Sequence, residues 1–145
     1  MRPQLSVSVA ITGDMVDAGA IERIVGFQGS AAWKRDDLVP GTKIKRRDDG
    51  WEFRTPFEPG YAIDEKINGL HNKLLQQSTA LVQFCQDHGY RTSVVCIVEM
   101  YDETAGLVLS ADLIAWMAQI GASLEIDTYI SVPAGDPDEG LPDKP

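Results

Sequence analysis

The chain reads as an α+β protein, a two-layer sandwich in which helices cover one face of a largely antiparallel sheet. Three observations predict this class. Stretches of period-two alternation, clearest at residues 5–12 and 124–130, ask for strands with one buried row. Two amphipathic stretches, residues 64–89 and 110–121, repeat apolar side chains at helical spacing and stop at Gly89 and Gly121. Their order, β-α-β-β-α-β-α-β, opens with six elements that match a ferredoxin-like βαββαβ core, a split βαβ arrangement, and adds a C-terminal αβ unit at one edge.

Each element has its own signature. Leu5, Val7, Val9 and Ile11 alternate with Ser6, Ser8, Ala10 and Thr12, and Gly13-Asp14 ends the strand. Asp17 is placed to cap a short helix with Ile21, Ile24 and Val25 on one face, and Gly26 lies just past its end. Residues 30–33 suggest a short strand. Residues 34–50 lose all periodicity and contain the turn dipeptides Pro40-Gly41 and Asp49-Gly50. Trp51, Phe53 and Thr55 then alternate with Glu52 and Arg54, and a turn-rich connection runs from Pro56 to Gly60.

Asp64 is expected to cap the longest helix, which carries Ile67, Leu70, Leu74, Leu81, Val82 and Cys85. Gly69 inside it costs about 1 kcal/mol relative to alanine, which suggests close packing or a late helix start. Residues 92–101 are apolar on both faces, as in a central or doubly covered strand. The final helix has Ser110 as its cap and Leu113, Met117 and Ile120 on its buried face. In the final strand Leu124, Ile126, Thr128 and Ile130 face one way, Glu125, Asp127 and Tyr129 the other. Residues 1–132 are thus expected to form one domain. Residues 133–145, rich in Pro, Gly and Asp, are expected to be a disordered acidic tail.

Bulk properties narrow the function. A chain of 145 residues can bury roughly 68–70% of its unfolded surface without a metal or disulfide staple. Its net charge of −9 argues against non-specific binding to nucleic acid or to an anionic membrane. No long apolar run indicates a transmembrane helix, and the N-terminus lacks the apolar core of a signal peptide. Cys85 and Cys96 are expected to be free, buried thiols of a reducing cytoplasm.

Several positions together resemble a mainly bacterial family, domain of unknown function 4279. They are Thr12-Gly13-Asp14 after the first strand, Gly26 and Trp33, Gly50-Trp51, Leu107-Val108-Leu109-Ser110, and the run from Gly121-Ala122-Ser123-Leu124 through Ile126-Asp127 to Tyr129. The resemblance spans nearly the whole chain apart from the tail. It implies a fold and no activity, cofactor or catalytic residue. The basic stretch 43–47 reads as a local elaboration of it.

The chemistry in the sequence is sparse. Cys85 and His88 share a helical face, but no orienting third group or glycine-rich oxyanion loop accompanies them, so packing is the favoured role. His71 and His88 are the only histidines and lack metal-ligand spacing, so no metal site and no cofactor is expected. Glu125, Asp127 and Tyr129 share one face of the last strand, and Glu99 and Tyr101 join them if the two strands are neighbours. These five residues are the candidate ligand-binding set, as carboxylates that hold a hard cation or exchange protons. The competing and favoured reading is a charged strand that discourages aggregation. Lys34, Arg35, Lys43, Lys45, Arg46, Arg47 and Arg54 place seven of the thirteen basic residues in one region. That region is expected to be a solvated loop first and a docking loop for an acidic protein surface second. Trp33, Lys45, Arg46 and Arg47, with Val95 and Ile97 on the open sheet face, form the candidate partner-docking set, for a protein partner or a second copy of the chain. The functional expectation is a non-enzymatic interaction domain, by analogy of size and charge with immunity or antitoxin proteins. The alternative is a small-ligand binder or enzyme using the open-face carboxylates.

Overall fold

A computed structural model describes residues 1–131. Along the chain these form β1 (Gln4–Gly13), α1 (Ala18–Val25), β2 (Ala31–Trp33), β3 (Asp49–Arg54), β4 (Glu58–Pro59), α2 (Ile63–Leu74), a 3₁₀ turn (Leu75–Gln77), α3 (Ser78–His88), β5 (Arg91–Met100), α4 (Ala111–Gln119) and β6 (Ala122–Ile130). The six strands make one mixed sheet in the order β2-β3-β1-β5-β6, with β4 alongside the first residues of β1. Every pairing is antiparallel except β5 with β6, which α4 joins in parallel. The protein is therefore α+β, as its patterning predicts. The expected acidic tail at 133–145 lies outside the described residues.

One row of β1, Leu5, Val7, Val9 and Ile11, faces the helices together with Val94, Cys96 and Val98 of β5. Against them pack Ile21 and Val25 of α1, Ile67, Leu70 and Leu74 of α2, Leu81 of α3, and Leu113, Trp116 and Met117 of α4. The alternation in β1 and β5 creates this layer directly, because period two sends every second side chain to the same side. Two of the three expected N-caps form where the sequence places them. Asp17 accepts from the Ala20 amide at 3.0 Å, Ser110 accepts from the Leu113 amide at 3.2 Å, and Gly26 takes the left-handed conformation after α1.

The opposite row of β1 departs from a half-buried strand. Ser6 and Ser8 are 2% and 1% exposed although no helix covers them. Ser8 sits between Arg54 and Val95, and Ser6 lies beside Ile97, so the small side chains are sunk between larger ones. After β3 the chain also closes on β1. Ser6 donates to the Thr55 carbonyl at 2.6 Å, and the Thr55 hydroxyl accepts from the Val7 amide at 3.0 Å.

The expected single helix over 64–89 is two helices. Ser78 is fully buried and donates to the Leu74 carbonyl at 2.8 Å, while accepting from the Trp116 indole at 3.0 Å. A serine bonding back to the carbonyl four residues earlier bends a helix. Here it also ties the bend to α4. Asp64 is not the cap either. Ala62 occupies that position without a side-chain bond, and Asp64, inside the first turn, accepts from the Val108 amide at 3.4 Å. Gly69 has open space where a Cβ would lie, so close packing is not its reason.

Candidate interaction surfaces

The β5·β6 register decides where the candidate carboxylates go. Val95 pairs with Glu125, Ile97 with Asp127 and Glu99 with Tyr129, so all of them share the open face. The candidate ligand set and the apolar docking pair are thus interleaved on one surface. Val95, Ile97 and Asp127 are half-buried, while Glu125 and Tyr129 are exposed. Glu99 is already engaged, accepting from the Ser131 hydroxyl at 3.1 Å. Burial pushes the Tyr101 phenol up, and its hydrogen bond to Glu99 adds to the effect. Val95 and Ile97 form no broad apolar patch, since Arg54, Glu52, Arg91 and the β6 carboxylates stand in the same and adjoining rows.

The cysteines and histidines are held by packing. Cys85 and Cys96 are free and buried; burial raises the Cys85 thiol and pushes that of Cys96 up to about 11. His88 clusters with the rings of Phe84 and Tyr90, at 4.2 and 5.2 Å, and its Nδ1 lies 2.8 Å from the Phe84 carbonyl. His71 lies 4.7 Å from the Trp116 ring. Among the described residues no cluster of His, Cys, Asp and Glu is arranged to hold a metal ion.

The basic region has more order than a solvated loop. Residues 34–49 fold back as an arm from the β2–β3 end of the sheet. Val39 donates to Ile44 at 2.8 Å, Arg46 to Asp37 at 2.7 Å, and Asp36 to Arg46 at 3.0 Å, all through the backbone. Leu38 bridges Lys45 in antiparallel fashion. Gly41 at φ 74° and Asp36 at φ 72° supply the left-handed turns, of which only the first had a sequence signal in Pro40-Gly41. The root is latched by carboxylates. Asp49 accepts from the Arg35 amide at 2.8 Å and Asp37 from the Lys34 amide at 2.8 Å. That Arg35 bond is the main reason the Asp49 carboxyl lies below its ordinary value. The Arg35 guanidinium donates through Nε to the Arg47 carbonyl at 2.8 Å.

Two tryptophans anchor the arm through glycines. A Cβ on Gly50 would lie 2.2 Å from the Trp33 ring, and one on Gly29 would lie 2.3 Å from Trp51 Nε1. Each indole therefore lies flat on bare backbone. Arg46 stacks on Trp33 at 4.1 Å from the ring centroid, a cation–π contact that fixes the arm over its root. Outward from this anchor, Lys43, Lys45 and Arg47 are exposed, as are Leu38 (58%) and Ile44 (65%).

Beside the root, a cavity of about 480 Å³ opens between the start of α1 and the arm, lined in part by Val16, Ala18, Trp33, Lys34 and Asp49. Met15, at φ 54°, forms its lip, and its carbonyl accepts from the Tyr90 hydroxyl at 2.8 Å. The Gly13-Asp14 turn leads into this feature, but nothing in the local sequence shows that a tyrosine far along the chain steadies it.

Among the described residues no helix is long and apolar enough to span a bilayer. Neither a curated protein nor a solved structure matches the chain. A family model does match, over residues 3–131, which takes in β1 through β6 and every surface just described. The chain belongs to the family described as domain of unknown function DUF4279.

Proposed function

We propose that this domain is a non-enzymatic interaction module that docks on an acidic protein surface through its arm. The observation that carries the reading is a preordered cationic projection on an otherwise acidic protein. Lys43, Lys45, Arg46 and Arg47 follow one another with no carboxylate among them, in a chain of net charge −9. Backbone bonds and the Trp33–Arg46 stack hold the arm in place before any partner arrives. A preorganised element loses less conformational freedom on binding, and complementary charge speeds encounter and fixes orientation. Leu38 and Ile44 supply apolar contact within the same projection. The frame beneath it we read as ferredoxin-like, supported by the antiparallel order of β2, β3, β1 and β5. An immunity- or antitoxin-like role, in which the domain occupies a partner's surface, is the kind of biology such docking serves.

The test uses the full chain and a polyglutamate peptide as acidic probe, with a single-stranded oligonucleotide of matched charge alongside. The reading predicts salt-dependent binding to the peptide that the triple variant Lys43→Glu, Lys45→Glu, Arg47→Glu loses at unchanged helicity. Equal binding by wild type and variant, or preference for the oligonucleotide, contradicts it. A second reading, cation or small-ligand binding on the open face, is favoured by the register that gathers Glu99, Glu125, Asp127 and Tyr129. Calorimetric titration with calcium tests it: heat that disappears in Asp127→Asn would favour that reading.

A further inference from the structure

Among the described residues the sheet has a bare edge. β6 is its last strand, paired on one side only, with β5. The Ser131 amide points inward, donating to the Met100 carbonyl at 2.8 Å. Strand backbone groups alternate from side to side, so the amides and carbonyls of Ile126, Thr128 and Ile130 point outward, away from β5. β6 contains no Pro, Lys or Gly among its nine residues, and its two charged residues, Glu125 and Asp127, stand on the open face of the sheet. The side chains beside it are apolar, with Ile126 41% and Ile130 76% exposed, and Ile114 of α4 is 52% exposed.

We infer that β6 pairs antiparallel with β6 of a second copy about a two-fold axis through Thr128, joining the two sheets into one. Among the described residues nothing completes these backbone groups, a partner strand would, and the sequence of β6 is self-complementary in this register. With Thr128 opposite Thr128, each exposed Ile126 faces the other copy's Ile130, and each Asp127 faces the other copy's Tyr129, whose hydroxyl can donate to the carboxylate. Glu125 falls opposite Ser131. Moving the axis to Ile126 would instead set Glu125 against Asp127, like charges directly opposed across the strands, which is destabilising. Charge thus favours the Thr128 register over that one, and the outward amide of Thr128 makes the central pair a hydrogen-bonded one. A symmetric dimer closes on itself and removes the edge. The arm, on the opposite end of the sheet, stays free.

Thr128→Cys in the full chain tests this. Directly opposed, hydrogen-bonded residues lie about 5.5 Å apart at Cα, within reach of a disulfide. Mild oxidation should give a covalent dimer, whereas Ile126→Cys should give none. The native Cys85 and Cys96 are buried and do not compete. Sedimentation should show a dimer for wild type at micromolar concentration and a monomer for Ile126→Lys, with helicity kept. A wild-type monomer, or cross-linking at Ile126 in place of Thr128, overturns the proposal. Neither result bears on polyglutamate binding by the arm.

Discussion

The two ends of the sheet manage the same problem in opposite ways. At one end, β2 is three residues long and leads into an arm that is latched by Asp37 and Asp49 and pinned by tryptophans lying on glycines. At the other end, β6 is nine residues long, carries exposed isoleucines and, among the described residues, ends the sheet uncovered. The first end has its partner groups built into the chain. The second presents a full row of backbone donors and acceptors to whatever comes beside it. A short, folded-back edge resists strand addition, and a long, regular one without Pro or Lys is open to it. The two proposals follow this difference, docking by charge at one end and self-pairing by backbone at the other.

The contrast breaks most visibly at the tryptophan seats. Gly50→Ala should cost about 3 kcal/mol, because its Cβ would lie 2.2 Å from the Trp33 ring and the neighbouring strands leave little room to shift. Urea denaturation measures this, and a loss within error would mean that Trp33 is not held by Gly50. At the helix layer the expected effect is smaller. Trp116→Phe removes the bond to buried Ser78 and should cost roughly 1–3 kcal/mol, with the bend between α2 and α3 losing protection from hydrogen exchange. Ser110→Ala should cost about 1 kcal/mol through loss of the α4 cap. Gly69→Ala should stabilise by up to about 1 kcal/mol, since the site is helical, exposed and open.

The latch adds a pH dependence of known sign. The Asp49 carboxyl is held below its ordinary value in the folded arm, first by the Arg35 amide and further by Lys34 and Arg35. Its contribution is fully present above the unfolded carboxylate range and is lost as pH falls through the lowered folded value. Amide protection in the arm of wild type should therefore fall on acidification below pH ~4. In Asp49→Asn that extra acid sensitivity should be absent.

Much of this was legible in the residues. Alternation in β1 and β6 located those strands, because burial on one face is a local requirement written at period two, and β5 was legible as a run apolar on both faces. The caps Asp17 and Ser110 and the stop Gly26 were legible for the same reason, since each acts within one helical turn. What escaped reading was non-local. β4 is two residues that exist only because β1 runs beside them. The break at Ser78 needs Trp116, 38 residues on. Gly29 and Gly50 look like ordinary turn and strand residues until the rings above them are known. The basic stretch was visible as charge, but its order rests on Asp36 in a left-handed turn and on backbone bonds that composition does not encode. The candidate carboxylates were gathered on one face because β5 and β6 are neighbours, as supposed; that Glu99 is engaged by Ser131 needed the three-dimensional structure.

Residue-resolved hydrogen exchange across a concentration series tests the central contrast most directly. The account predicts that the amides of Asp36, Val39 and Arg46 are protected at every concentration, because the arm is ordered within one chain. It predicts that the outward amides of Ile126, Thr128 and Ile130 gain protection as concentration rises. Arm amides that exchange as fast as an unstructured peptide, or edge amides indifferent to concentration, would contradict it.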